Sequence, residues 1–196
     1  MKNVALIDYG AGNLRSVYNA LNKLGVEPII TSNPDEILQA DKVIFPGVGA
    51  ARPAMKRLQE QGLDVLIPKL TQPVLGICLG MQMFCNYSEE DDTTALGVIE
   101  ENVLRFEGAP RKLHMGWNSV EEQSGPLFKE IAEGSYFYFV HGYYVPKGNH
   151  TVGTTTFGTT ISASFQYNNF YGVQFHPEKS GPVGAQLLSN FLTIRP

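Results

Sequence analysis

The chain has 196 residues, of which 43% are hydrophobic and 11% aromatic, and its formal net charge is −4. This length and apolar content suit one domain with a sizeable core. The 15 basic residues are spread along the chain, which excludes the charge pattern of a nucleic-acid or anionic-membrane binder. No apolar run reaches the length of a membrane span, and Asp8 cuts the first one short, so we expect a cytoplasmic protein without a signal peptide.

Strand-like and helical segments alternate through the first half of the chain. The predicted strands are residues 4–8, 28–31, 42–45 and 74–77. The predicted helices are residues 13–24, residues 51–61 and a helix that begins at residue 79. This order of elements predicts a mostly parallel sheet with helices on both of its faces.

The second half contains closely spaced strand-like segments. They are residues 97–106, 135–145, 151–156, 159–166 and 170–175. We expect antiparallel pairs of these strands to extend the sheet before a last helix at residues 184–191, and we expect the acidic segment 88–94 to be a solvated loop. The predicted fold class is therefore α/β, as one domain over residues 1–196.

The segment Gly76-Ile77-Cys78-Leu79-Gly80 places a thiol between two glycines at the end of an apolar strand pattern. It is a cysteine version of the nucleophile elbow, a strained strand-to-helix turn that tolerates no β-carbon two residues on either side of the nucleophile. The N-terminus of the following helix favours the thiolate, which is the attacking species. The segment predicts that Cys78 is a nucleophile, although alone it also fits a buried structural cysteine.

A matching base lies 98 residues further on, in His176-Pro177-Glu178. Pro177 favours an extended conformation at His176, so we expect the chain to stay straight and the side chains of His176 and Glu178 to share a face. The carboxylate would then hold one imidazole nitrogen and leave the other to take a proton from a nucleophile. Taken alone, the tripeptide also fits an exposed turn with a solvated glutamate.

The glycine-rich segment Gly47-Val48-Gly49 follows another predicted strand. Acyl transfer needs N–H donors where the oxyanion forms, and elbow enzymes take one from the residue after the nucleophile and one from a separate strand-end loop. Leu79 fits the first role, and Val48 and Gly49 fit the second.

Together these motifs resemble a class I (triad) glutamine amidotransferase. Further segments are similar to the glutaminase subunits of imidazole glycerol phosphate synthases, and the similarity covers essentially the whole chain. These segments are Asp8-Tyr9-Gly10-Ala11-Gly12-Asn13 with Ser16, His114-Met115-Gly116-Trp117-Asn118, Tyr138-Phe139-Val140-His141 and Tyr171-Gly172-Val173-Gln174-Phe175.

The resemblance implies that Cys78, His176 and Glu178 form a triad that hydrolyses glutamine to glutamate and ammonia. It also implies which groups hold the glutamine, namely Gln82 and the backbone near Gly49, Gly142 and Tyr143. Gly142 departs from the family pattern, which generally has a small hydroxyl residue there. Since the contacts expected at this position come mainly from backbone, the departure loosens the loop without removing it.

The resemblance further implies a partner, a (β/α)₈ cyclase subunit bound in a heterodimer. That subunit uses the ammonia to make imidazole glycerol phosphate and the purine precursor AICAR in histidine biosynthesis. Asn13 and Lys179 are expected at the partner-facing mouth of the site. Met115 and Trp117 lie in a glycine-containing segment that we interpret as a loop, where they fit either the core or a partner surface.

Two other functions compete with this one. A stand-alone amidase or peptidase of the same fold, such as a γ-glutamyl hydrolase, would hydrolyse its substrate at full rate alone, and a binding subunit would need no triad. The residue spacings predict neither a metal site nor a dinucleotide cofactor. Cys85 is expected to be a buried helix residue, too far from Cys78 for a disulfide.

Overall fold

The computed structural model describes residues 3–10, 13–107 and 112–195. The strands, in chain order, are β1 Val4–Ile7, β2 Ile29–Thr31, β3 Lys42–Gly47, β4 Val74–Cys78, β5 Tyr87–Ser88, β6 Thr93–Thr94, β7 Asn102–Arg105, β8 His114–Ser119, β9 Tyr136–His141, β10 Tyr143–Tyr144, β11 Thr151–Phe157, β12 Thr159–Tyr167 and β13 Phe170–Val173. The α-helices are α1 Leu14–Lys23, α2 Pro34–Gln39, α3 Ala51–Glu60, α4 Leu63–Leu66, α5 Leu79–Met83 and α6 Gly181–Thr193. Short 3₁₀ turns occupy Ile67–Lys69, Pro126–Phe128 and Pro177–Lys179.

A seven-stranded sheet, in the order β11-β12-β13-β4-β3-β1-β2, forms the centre of the described structure. The five strands from β13 to β2 run parallel, and β12 and β11 extend the sheet in antiparallel pairs. Every residue of β1, β3 and β4 is buried, which is typical of parallel strands covered on both faces. The predicted α/β fold class is confirmed.

Two apolar clusters lie on opposite faces of this sheet. Along β1, Val4 and Leu6 belong to one cluster and Ala5 and Ile7 to the other, as the alternation of side chains along a strand requires. Helices α1 and α6 supply residues to the first cluster, and α3, α4 and α5 supply residues to the second. Both faces of the sheet are thus covered by helices.

Two parts of the second half differ from the prediction. The segments 97–106 and 135–145 contribute strands to smaller sheets, one with the order β10-β7-β5-β6 and one of β8 with β9, and do not extend the central sheet. The segment 88–94 is not a simple solvated loop, because β5 and β6 pair there and bury Ser88 and Thr93. Short strands with mixed polarity carry little periodic signal, so their partners were not predictable from pattern alone.

Helix α2 was not predicted. Its start has clear sequence signals nevertheless, because the Asn33 side chain accepts a hydrogen bond from the backbone of Asp35 and Pro34 occupies the first turn. The six residues of this helix are too few to show a helical repeat. No helix among the described residues has the length and apolar character needed to cross a membrane.

Candidate active site

Cys78 ends strand β4 and caps the start of helix α5, with φ 55° and ψ −109°. The glycines on either side of Cys78 are needed because the backbones of β3, β4 and α5 approach each other closely here. A β-carbon at Gly80 would lie 1.9 Å from the carbonyl oxygen of Phe45 in β3, and one at Gly76 would lie 2.8 Å from the carbonyl carbon of Gly80. Only glycine therefore lets β3, β4 and α5 meet at this turn, and the turn presents the thiol at a helix N-terminus.

The thiol faces a cavity of about 200 Å³. The sequence-predicted residues that line this cavity are Val48, Gly49, Cys78, Leu79, Gln82, Gly142, Tyr143, His176 and Lys179. Three lining residues were not predicted, namely Glu90, Val140 and His141. The fold therefore gathers groups from five separate parts of the chain around one sulfur.

His176 and Glu178 contact each other, but not through a straight backbone. Nδ1 of His176 lies 2.8 Å from Oε1 of Glu178, and both side chains are almost completely buried. His176 itself is extended, whereas Pro177–Lys179 forms a 3₁₀ turn, so the expectation of a straight chain is wrong. The reason is that proline suits the first position of a helical turn, and the turn brings Glu178 back to the imidazole.

Burial lowers the pKa of His176, but its interactions with Cys78 and Glu178 outweigh burial and raise that pKa to about 9. The imidazole is therefore protonated at neutral pH when its partners carry negative charge. Its Nε2 atom has no hydrogen-bond partner among the described residues. The proton at this nitrogen is accordingly available to groups in the cavity.

Gln174 is a site residue that sequence reasoning did not assign. Its side chain is fully buried, its Nε2 atom donates to Sγ of Cys78 at 3.7 Å, and its Oε1 atom accepts from Nε2 of Gln82 at 2.9 Å. The thiol also lies 3.7 Å from the carbonyl oxygen of Val140. The sequence did contain one signal for this role, namely the position of Gln174 between apolar residues at the end of a strand. A polar side chain buried there needs hydrogen-bond partners.

Glu90 was also missed, because the acidic segment around it was interpreted as solvated. Its carboxylate accepts a hydrogen bond of 2.9 Å from the backbone of Ala51, which holds it at the cavity. Burial raises the pKa of Glu90, the Ala51 hydrogen bond lowers it, and the net direction is upward. A partly desolvated carboxylate here attracts a cationic group.

The glycine-rich turn after β3 borders the same cavity as the start of helix α5. Gly49 has φ 100°, which favours glycine, and Val48 is 38% exposed. Leu79 is the first residue of α5, so its N–H belongs to the unpaired group at the helix N-terminus. Peptide groups from both elements thus border the same space.

The four residues expected at a partner surface lie in different settings. Met115 and Trp117 are 60% and 55% exposed and belong to strand β8, so their interpretation as loop residues is wrong. Gly116, with φ 133°, separates them and gives the strand a loop-like sequence. Lys179 is exposed at the cavity, and Asn13 occupies the N-cap position of helix α1 and does not line the cavity.

Both cysteines are free and buried. Cys85 is completely inaccessible and lies beyond the end of α5, so burial is confirmed and the helical position is wrong. Burial, followed by the charge of Glu101, raises the pKa of the Cys85 thiol. Cys78 keeps 7% of its surface exposed and borders the cavity.

A glutamine-mimicking electrophile should therefore label Cys78 and spare Cys85, because reactivity follows thiolate character and access. Peptide mapping by mass spectrometry after short exposure measures the two sites in one sample. The fully buried thiol serves as the internal control, and its labelling should appear only after denaturation. Equal labelling of both thiols in the folded protein would contradict the elbow assignment.

Comparisons with known proteins agree with this geometry. The family model described as glutamine amidotransferase class-I matches residues 5–194. The imidazole glycerol phosphate synthase subunit HisH of Bacteroides fragilis strain YCH46 is 49% identical, over 97% of this chain and 99% of that protein. The subunit of the same name from Escherichia coli K12 is 48% identical, over 98% and 100%. The solved structure of PurLQS from Thermotoga maritima shares the fold, with a TM-score of 0.75 and 20% identity over 98% of each chain.

Proposed function

The chain belongs to the class I glutamine amidotransferase family, and we propose that it is the glutaminase subunit of an imidazole glycerol phosphate synthase. One observation carries this proposal. Cys78 and His176, which are 98 residues apart in the sequence, border one cavity of about 200 Å³, and Glu178 contacts the His176 imidazole at 2.8 Å. The two relatives named imidazole glycerol phosphate synthase subunit HisH, which are 49% and 48% identical to this chain and matched over almost their whole length, support the same assignment.

The reaction begins when the Cys78 thiolate attacks the side-chain carboxamide carbon of glutamine. The C–N bond breaks, the nitrogen leaves as ammonia with a proton from Nε2 of His176, and a thioester remains on the sulfur. Water then attacks the thioester carbonyl carbon while His176 accepts one of its protons, and the C–S bond breaks. The Cys78 thiolate and the protonated imidazole are thereby restored, and the new carboxyl group of glutamate leaves and loses its proton to solvent. Glu178 orients the imidazole and stabilises its charged form through the 2.8 Å contact.

Backbone donors stabilise the tetrahedral oxyanion. The N–H of Leu79 is one donor, and a peptide N–H of the Val48–Gly49 turn is the second. Because Gly49 has φ 100° and little steric restriction, this peptide group can hold either of two orientations. The turn is thus able to withhold one donor when no acceptor for ammonia is present.

Groups on the cavity wall hold the glutamine itself. Gln82, Gly142 and Tyr143 line the cavity, and we assign them to the binding of glutamine. The partly buried carboxylate of Glu90 lies in the same cavity and suits the α-ammonium group of glutamine.

The partner in this proposal is the cyclase subunit, which receives the ammonia in a heterodimer. Met115 and Trp117 supply an exposed apolar surface, and Lys179, whose Nζ lies 6.0 Å from the centre of the Tyr138 ring, supplies a cation at the cavity. Asn13 directly precedes α1, and Ser16 of this helix borders a second cleft together with Glu178. We assign the complex to the cytoplasm, where free thiols such as Cys78 and Cys85 persist.

Slow glutamine hydrolysis by the isolated subunit, and faster hydrolysis with the cyclase and its ligand, is the expected result of a glutaminase assay. A missing oxyanion donor costs roughly 10²–10³ in rate, so kcat should rise by about that factor while KM changes less. The control omits the cyclase ligand and keeps both subunits. Comparable kcat values for the subunit alone and for the loaded complex would instead indicate a stand-alone hydrolase.

A further inference from the structure

Two buried histidines near the cavity have no part in the mechanism above. His114 of β8 and His141 of β9 pair directly across the small sheet, and both are at least 94% buried, with exposures of 4% and 6%. Nδ1 of His114 lies 3.0 Å from Nε2 of His141. Two imidazoles in direct contact inside a protein must divide donor and acceptor roles between them.

The contacts of this pair fix those roles. The carbonyl oxygen of Tyr143, 2.7 Å from Nδ1 of His141, only accepts, so Nδ1 carries the hydrogen and Nε2 of the neutral ring accepts. Nδ1 of His114 must therefore be the donor within the pair, which leaves its Nε2 as an acceptor. Nδ2 of Asn118 supplies the matching donor at 3.2 Å.

The orientation of the Asn118 amide is independently fixed. Its Oδ1 atom accepts from the backbone N–H of Ser119 at 2.9 Å, and its Nδ2 atom also donates to the carbonyl oxygen of Thr156 at 3.0 Å. The NH₂ group thus faces His114 and cannot exchange places with the oxygen. Both histidines are consequently neutral and carry hydrogen on Nδ1.

The same Tyr143 carbonyl receives a second hydrogen bond from the catalytic side. Nε2 of Gln82 donates to it at 2.9 Å and also donates to Oε1 of Gln174, whose own Nε2 atom donates to Sγ of Cys78. The carbonyl therefore accepts two hydrogen bonds and links the histidine pair to the catalytic side. On one side the donations run from Asn118 in β8 through both histidines to this carbonyl. On the other side Gln82 donates both to the carbonyl and to Gln174, and the donations from Gln174 end at the Cys78 sulfur.

We infer that His114 and His141 are positioning residues for glutamine hydrolysis, which hold the Tyr143 carbonyl where it orients Gln82 and, through Gln174, the environment of the Cys78 thiol. This inference rests on the proposed glutaminase function. The segment that the pair holds, Gly142–Tyr143, forms part of the cavity wall. A shift of that wall would displace the bound glutamine relative to the sulfur.

The surroundings keep the pair neutral and fixed. The His114 ring is stacked between Phe139 and Phe157, with centroids 4.7 Å and 4.3 Å away. Burial lowers the pKa of His114 to about 4. Burial, opposed by the Tyr143 hydrogen bond and aided by the charges of His114 and His176, lowers the pKa of His141 to about 3. The donor and acceptor roles thus persist at neutral pH.

Two substitutions at His114 separate positioning from packing. His114→Phe keeps an aromatic ring between Phe139 and Phe157 but removes the donor to His141. His114→Asn loses the ring but places an amide N–H near the former Nδ1 position. If the hydrogen bond matters, kcat/KM for glutamine in the complex with the cyclase should fall about tenfold or more in the Phe variant and clearly less in the Asn variant.

The thermal unfolding midpoint should rank these variants in the opposite order, because the Phe variant retains the stacking. His150→Phe, a histidine outside the chain of hydrogen bonds, is the matched control and should keep wild-type activity. Loss of activity that follows the order of thermal stability, or equal activity in all variants, would overturn the inference. Wild-type protein without glutaminase activity would instead refute the proposed function.

Nitrogen-15 NMR of the imidazole rings tests the same arrangement without any assay. Two rings should remain in the neutral Nδ1–H form at neutral pH, and the His114 signals should vanish in His114→Phe. Observation of the Nε2–H form at His141 would overturn the inference even if the protein is an active glutaminase.

Discussion

Replacing Cys78 with alanine in the complex with the cyclase should abolish glutamine-dependent cyclisation and leave ammonia-dependent cyclisation nearly intact. Under the proposed function only the release of ammonia from glutamine needs the thiol, since the second reaction is assigned to the partner. Removal of a catalytic nucleophile typically lowers kcat by about 10⁶, and members of a triad act as a unit. His176→Ala should therefore cost almost as much as Cys78→Ala.

Cyclisation is measured with glutamine and, in parallel, with an ammonium salt at high pH. Cys85→Ala is the matched control, because it removes the other thiol of the chain and leaves the cavity untouched. Its glutamine-dependent rate should equal that of the wild type. An equal fall in the ammonia-dependent rate of Cys78→Ala would refute the proposed division of labour between the subunits.

Gly80→Ala should inactivate the enzyme by a different route. The new β-carbon would lie 1.9 Å from the carbonyl oxygen of Phe45, a backbone atom of a fully buried strand that cannot turn aside. Overpacking of this kind costs roughly 3 kcal/mol, whereas the gain in helix propensity is only about 1 kcal/mol. The collision therefore dominates, and α5 must move away from β3 together with the thiol at its start.

Urea denaturation and glutaminase kinetics measure the two consequences. Gly148→Ala is the control, because its β-carbon would lie 2.2 Å from an oxygen of Glu101, the mobile end of a side chain. This side chain can rotate away, so stability should change little. A Gly80→Ala variant as stable and active as Gly148→Ala would contradict the close approach of β3 and α5.

The sequence predicted the parts of the site that are local. Gly76, Cys78 and Gly80 lie within five residues, and His176 contacts a glutamate two positions away, so short motifs contained both features. The alternation of apolar strands and helices likewise predicted the parallel half of the sheet. These features follow from backbone geometry over a few residues and need no knowledge of distant partners.

The missed features depend on contacts between distant segments. Gln174 and Gln82 are 92 residues apart, and nothing near either residue indicates that their amides meet beside the thiol. Strand β8 was interpreted as a loop because it contains Gly116 and polar groups flank its large side chains. Glu90 was assigned to solvent because its acidic neighbours dominate the local composition. In each case the structure depends on a contact with a residue far away in the sequence, and the local sequence does not specify that contact.

The backbone at Cys78 has a positive φ, so the residue that would give this position the greatest stability is not the residue that supplies the reactive group. A φ of 55° with ψ −109° is costly for any residue with a β-carbon, about 1–3 kcal/mol, and glycine would adopt it freely. Selection for stability alone would thus replace Cys78, the proposed nucleophile, with glycine. Engineering this chain for heat resistance must keep Cys78, because a change to glycine would raise the stability of the fold and remove the thiol that the proposed reaction needs.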